Sequence, residues 1–356
     1  MPEFRGNKGE WSEIYVLFRI LADGRLSSST KDFQNSTESY FPVSRIIRKS
    51  SLITCTYEIL EGYVEISSTI ANQPAARVTQ KRFRESADLL FGVIAESKGV
   101  FSVPELSELL SLCNISSIKA PSSSKEDIIL RYYEPKVNQE IALAFSIKSE
   151  LGAPPTLLNA SQSTNVVFKI GGSLTNQEIV LLNKLPPKQL VSKLSEENHT
   201  IVYSRFNNPI FEQNLKVIDS QMPEIVAHLV LAYFKSSGTS ILSLTDELVR
   251  SDPLLVVDET QKFYSHKIRT FLQDVALGLR PATSWSGVHD ASGGYIVLLK
   301  SGNLCCIHSH DRELFRNYLE SNTKLETADA RNNFGTIFSD RYNSFISLNL
   351  QIRFIR

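Results

Sequence analysis

Trp11, Ile14, Tyr15, Phe18 and Leu21 recur at helical spacing and Asp23-Gly24 follows them, so the pattern predicts a helix over 9–22 ended by the glycine. Phe83, Ala87, Leu90, Phe91 and Ile94 predict a second helix over about 81–97, with Gly99 just past its end. Between them, segments 39–48 and 52–69 alternate and are rich in β-branched and aromatic residues, as strands are. Ser102 reads as the cap of a short helix running through Pro104, Leu106 and Leu110.

The middle of the chain changes character. Ser122-Ser123-Ser124 reads as a loop, 127–133 as a strand, 134–138 as a turn and 141–148 as a second strand, together a hairpin-like pair. A further strand is expected at 165–170. Helices then dominate, at about 187–197, 209–219, 223–236, 244–250 and 259–278. The pattern reverts to β in a hairpin over 294–308 that turns at Ser301-Gly302-Asn303. A helix at 311–321 and strands near 334–338 and 345–354 follow. This is an α/β chain with a helical insertion and a β-rich end. Leu185-Pro186-Pro187 is the best linker, dividing the chain into 1–185 and 186–356.

Composition narrows the classes. The 38 Lys+Arg balance 38 Asp+Glu, which argues against coating nucleic acid by charge alone but leaves room for a local basic cleft. No apolar run approaches the roughly 18–20 residues of a membrane span, and the polar N-terminus has no apolar signal core, so neither a membrane nor export is expected. Cysteines at 55, 113, 305 and 306 form no CxxC pair and no disulfide framework, which points to a reducing cytoplasm. Cys306, His308 and His310 could turn one strand face toward zinc, although a plain hairpin is the more ordinary reading without a fourth ligand.

The strand at 141–148 carries the candidate chemistry. Ile141, Leu143, Phe145 and Ile147 form a bulky face, while Ala142, Ala144 and Ser146 lead along the other face to Lys148. Antiparallel pairing would bring Asp127 to the 146–148 end of the sheet. A carboxylate and an ammonium at one edge suit Mg²⁺-assisted phosphodiester hydrolysis, whereas the bland alternative is a cross-strand surface ion pair worth little. On the first helix Glu10 falls at the rim of the apolar arc, where a covered carboxylate wants a partner, and Glu13 falls further round toward solvent. The competing reading of Glu10 is a first-turn acid favoured by the helix dipole.

Three stretches resemble HpaII-type restriction endonucleases. They are Gly6-Asn7-Lys8-Gly9-Glu10-Trp11-Ser12-Glu13-Ile14-Tyr15, the block Phe145-Ser146-Ile147-Lys148-Ser149-Glu150-Leu151-Gly152 with Thr156 to Asn165, and the end from Gly293-Gly294-Tyr295 to Leu348-Asn349-Leu350-Gln351-Ile352-Arg353-Phe354. The resemblance implies a PD-(D/E)xK core, a mixed sheet flanked by helices that cuts double-stranded DNA with Mg²⁺. It makes residues 1–185 the catalytic core and 186–356 a DNA-recognition and dimerisation region. Asp127 matches the first acid and Lys148 the lysine, but Ser146 stands where the second acid belongs. Glu10 or Glu13 is the expected substitute, Glu150 a weaker one, and Gln139 or Gln162 could position water or phosphate. Asp127, the Ile147 carbonyl and Glu10 would hold the metal. Asn159, Ser161, Gln162, Thr164, Asn165, Lys324, Arg331, Asn332 and Asn333 are candidates for DNA contact. The family further implies the palindrome CCGG, a homodimer, and a cognate DNA methyltransferase acting on the same site. The alternative is a sequence-specific DNA-binding protein with an inactive nuclease fold, suggested by Ser146.

Overall fold

A computed structural model describes residues 4–50, 53–70, 74–118, 125–134 and 138–355. The expected loop at Ser122-Ser123-Ser124 and most of the expected turn at 134–138 lie outside these residues. The chain divides into two compact units, Met1–Pro155 with Asp290–Phe315, and Thr156–His289 with Arg316–Arg356. Position 185, expected as the boundary, falls within the second unit. No helix among the described residues is long and apolar enough to cross a membrane.

The first unit is built on a mixed sheet of nine strands. At its centre the Ile128–Glu134 strand pairs antiparallel with Gln139–Ser149, with Ile128 opposite Phe145, as the hairpin reading anticipates. Asn35–Lys49 flanks the first of these, and the Thr54–Leu60, Tyr63–Ser68 and Ala76–Thr79 strands continue the sheet. On the other side Gly294–Leu298 runs parallel to Gln139–Ser149, placing Val297 beside Lys148, and forms its own hairpin with Leu304–His308. Arg25–Ser29 pairs with both Leu304–His308 and Asn35–Lys49, so six of the strands close on themselves. Closure removes the free edges of that part of the sheet.

Two helices pack against this sheet. The first, α1 (Lys8–Asp23), ends where Gly24 takes the left-handed conformation and returns its N–H to the Ile20 carbonyl. The second, α2 (Gln80–Glu96), is capped by the Thr79 side chain, which accepts from the Arg82 N–H. Phe18 and Phe83 meet with ring centroids 5.4 Å apart, and both are fully buried. Phe18→Ala is expected to cost about 3–5 kcal/mol, read as a lowered denaturant midpoint with unchanged slope. The Ser102 cap is a correction: Ser102 ends a short strand, Val100–Ser102, and the turn at Pro104–Leu106 has no side-chain cap.

In the second unit Asn165–Ile170 lies between Ile201–Phe206 and Ser344–Asn349, with Ile337–Ser339 at the far edge. The strand at 201–206 interrupts a region that reads as helical from sequence. It is short, bulged in its pairing, and lacks clean alternation. The remaining helices fall close to their expected spans: Pro187–Glu196, Pro209–Ile218, Met222–Lys235, Ile241–Ser251 and Thr260–Leu277.

Candidate active site

Asp127 stands just before the Ile128–Glu134 strand, and its backbone N–H donates to the Phe145 carbonyl at 2.9 Å. That bond aims the side chain at the neighbouring strand. There Asp127 Oδ2 accepts from the Ile147 N–H at 2.6 Å and from the Ser146 hydroxyl at 3.1 Å. Lys148 Nζ in turn donates to Ser146 Oγ at 2.7 Å. The serine therefore relays between ammonium and carboxylate. The Lys148 ammonium also sits 4.9 Å from the centroid of the Tyr295 ring, which the parallel strand supplies.

Helix α1 brings the second acid. Ser12 Oγ donates to the Lys8 carbonyl and shares a hydrogen bond with Ser149 Oγ at 2.9 Å, tying the helix to the strand that carries Lys148. One turn on, the Tyr15 hydroxyl donates to the Gly302 carbonyl at 2.6 Å in the hairpin turn, where Gly302 has a φ of +85°. Between these two anchors Glu13 faces a cavity of about 480 Å³ that Lys148, Ile147, Ser149 and Asn7 also line.

Burial dominates the electrostatics around this cavity. Burial, and then the negative charge of Asp127, push the Glu13 carboxyl up from 4.5 to about 8, against the pull of Arg48 and Lys148. Burial also raises Asp127, opposed by Lys148, the Ile147 N–H, Ser146 and Arg48. Burial lowers Lys148, opposed by the same two carboxylates. Two carboxylates driven toward protonation by burial are what a hard divalent cation would hold charged.

Glu10 is placed differently from expectation. Its carboxylate accepts from the Asn7 N–H at 2.8 Å while the Asn7 side chain accepts from the Glu10 N–H, a capping box at the start of α1. Glu13, expected toward solvent, is the helix acid that faces Asp127 and Lys148. Glu150 lies beyond the lysine, where its side chain accepts from the Lys300 N–H. Gln139 is exposed at the opposite end of its strand from Lys148. Arg48 and Tyr295 were not legible as site residues, since nothing local in sequence links either to the 146–148 segment.

The chain matches the model of the HpaII restriction endonuclease family over residues 7–354. It belongs to that family. It is 36% identical over 357 residues to the type II restriction enzyme HpaII of Haemophilus parainfluenzae, covering 99% of each chain. No solved structure matches it. Membership bears out the expected type II restriction endonuclease, a site-specific deoxyribonuclease.

For an HpaII-family enzyme the residues expected to meet DNA divide sharply. Thr164 and Asn165 are buried, and the Asn165 amide donates to the carbonyls of Asn332 and Asn333 at 2.9 and 3.2 Å. Ser161 caps the turn at Gln162–Thr164 and accepts on its carbonyl from Asn349. These side chains brace the second unit. The Asn332 side chain donates to the Asp329 carbonyl, and Arg331 forms a two-pronged pair with Asp329 while staying largely exposed. Lys324 is within 3.6 Å of Glu326. Asn159 and Gln162 are exposed.

Proposed function

We propose that this protein hydrolyses double-stranded DNA with Mg²⁺ at a short palindrome, CCGG, as a homodimer, within a PD-(D/E)xK nuclease core. The observation that carries the reading is the chain of contacts from Lys148 through Ser146 to Asp127, with the Glu13 carboxylate facing it across one pocket. Asp127, Glu13 and the Ile147 carbonyl are the oxygen donors that would hold Mg²⁺, a cation that favours hard ligands and needs few protein carboxylates. When bound, the ion polarises the scissile phosphate and stabilises the leaving 3′-oxygen.

Within that site Ser146 holds the Lys148 ammonium and the Asp127 carboxylate in fixed relation. It supplies the geometry of the second motif position without its charge, and Glu13 supplies the charge. Lys148, desolvated and restrained by Ser146 and the Tyr295 ring, would orient the attacking water and counter charge growing on the phosphorane oxygens. Glu10, capping α1, is left outside the metal site. A two-fold site such as CCGG favours two protomers related by the same symmetry, and a methyltransferase specific for CCGG would protect the host. Glu13, a carboxylate beside Asp127 and Lys148, supports the active reading over an inactive fold.

The test is incubation of purified protein with plasmid and Mg²⁺, followed by sequencing of the product ends. Discrete fragments whose ends map to CCGG are expected. Plasmid that stays intact, or ends scattered without a common sequence, would refute the reading.

A further inference from the structure

The hairpin beside the catalytic strand ends in His308, which is buried, and the chain then turns so that the N–H of His310 donates to His308 Nδ1 at 3.0 Å. The two imidazole centroids lie 4.5 Å apart, and His310 is exposed. Glu134, the last residue of the Ile128–Glu134 strand, is only 3% exposed although it carries a carboxylate. One ligand atom from each of Glu134, His308 and His310 falls within 4.8 Å of the other two. We infer that these three side chains form a second cation site, one that takes a borderline transition-metal ion of the Zn²⁺ class and is separate from the DNA-cleaving site.

The donor set selects the ion. Two imidazoles and one carboxylate suit Zn²⁺, Co²⁺ or Ni²⁺, whereas Mg²⁺ favours oxygen ligands alone. Three protein ligands leave one position of a tetrahedral zinc for water. His308 can ligate through Nδ1, because its other nitrogen is committed to Tyr132. Nδ1 accepts the His310 N–H, so the neutral ring carries its proton on Nε2, and a cation would take the Nδ1 lone pair in place of that N–H. The Tyr132 hydroxyl is hydrogen-bonded to Nε2, and its oxygen, accepting the Nε2 proton, would hold the ring in the tautomer that leaves Nδ1 for the ion.

The site shares no residue with the cleavage machinery. Glu134 comes seven residues after Asp127 along one strand, which at about 3.3 Å per residue is roughly 23 Å. Cys306, placed with the two histidines on sequence spacing, is not in the cluster. It is fully buried, and burial raises its thiol well above the ordinary range, which disfavours the thiolate a metal needs. Glu134 takes its place. An ion there would join the end of one strand to a turn 174 residues later in the chain, a closure that stabilises the first unit.

The experiment uses chelator-stripped full-length protein in excess Mg²⁺, which fills oxygen-only sites. Co²⁺ is titrated in and followed by its visible ligand-field absorption, and Zn²⁺ by calorimetry. One ion per chain is expected, with affinity unchanged in Asp127→Asn and weakened at least about tenfold in His310→Ala. Matching thermal unfolding of wild type and His310→Ala before metal is added shows that the variant is folded. Glu134→Gln repeats the measurement on the carboxylate. Absence of binding under excess Mg²⁺, or wild-type affinity in His310→Ala, overturns the site. Binding lost in Asp127→Asn and kept in His310→Ala would place the ion at the cleavage centre and also overturns it.

Discussion

Lys148→Ala is expected to slow plasmid cleavage by about 10³-fold or more while changing DNA retention in a gel shift by less than about threefold. The separation follows from where the ammonium is held. Nζ is restrained by Ser146 Oγ at 2.7 Å and by the Tyr295 ring, deep in a pocket lined by α1 and the end of one strand. A cation so placed acts on charge that develops during reaction. The broad phosphate contacts that set DNA affinity come from many residues, and losing one of them changes affinity little. Arginine is a poor replacement, because a planar guanidinium cannot reproduce a point charge seated on one hydroxyl and one ring face. Circular dichroism shows whether the variant folds, and a folded Lys148→Ala that cuts at the wild-type rate would remove the lysine from the mechanism. Ser146→Ala should fall between the two, since the relay to Asp127 is lost but the ammonium remains.

How far the site could be read from sequence depends on the range of the contacts that build it. Asp127 and Lys148 were legible because a hairpin imposes register: Ile128 opposite Phe145 fixes which ends meet. The helices α1 and α2 were legible because long apolar arcs and caps agree on their bounds. The helix at Asn176–Leu182 carried a capping signature as well, Thr175 with Glu178, that sequence reading passed over. Tyr295 over Lys148 was not legible, because a parallel strand from far along the chain supplies it and no local pattern encodes a parallel neighbour. Arg48 belongs to the same class, brought near the carboxylates by the Asn35–Lys49 strand. The choice between Glu10 and Glu13 turned on something a helical wheel omits. Angular position put Glu10 nearer the core, but Asn7 captured it in a capping box, and the face judged solvent-exposed opens on the pocket.

Glu13→Gln is expected to lower cleavage at pH 8 by about 10³-fold, as loss of a metal-holding carboxylate does, and to flatten the pH dependence. The sign follows from its carboxyl, raised from 4.5 to about 8 in the folded protein. Protons compete with Mg²⁺ for this carboxylate, so at limiting Mg²⁺ the wild-type rate climbs with pH, and glutamine removes the climb. Stability moves the opposite way. Because the folded state holds this proton more tightly than the unfolded chain, the stability it contributes is present below 4.5 and is lost as pH rises through about 8. In chelator at pH 9 the buried charge is a net cost, so Glu13→Gln should melt higher than wild type by roughly 5 °C for a change of about 2 kcal/mol. At pH 4 the two should melt together. Glu10→Gln is the control on the same helix: it perturbs the Asn7 capping box by at most about 1 kcal/mol and should leave the rate and its pH profile in place. If Glu10→Gln abolished cleavage while Glu13→Gln retained it, the assignment of the second acid would be reversed.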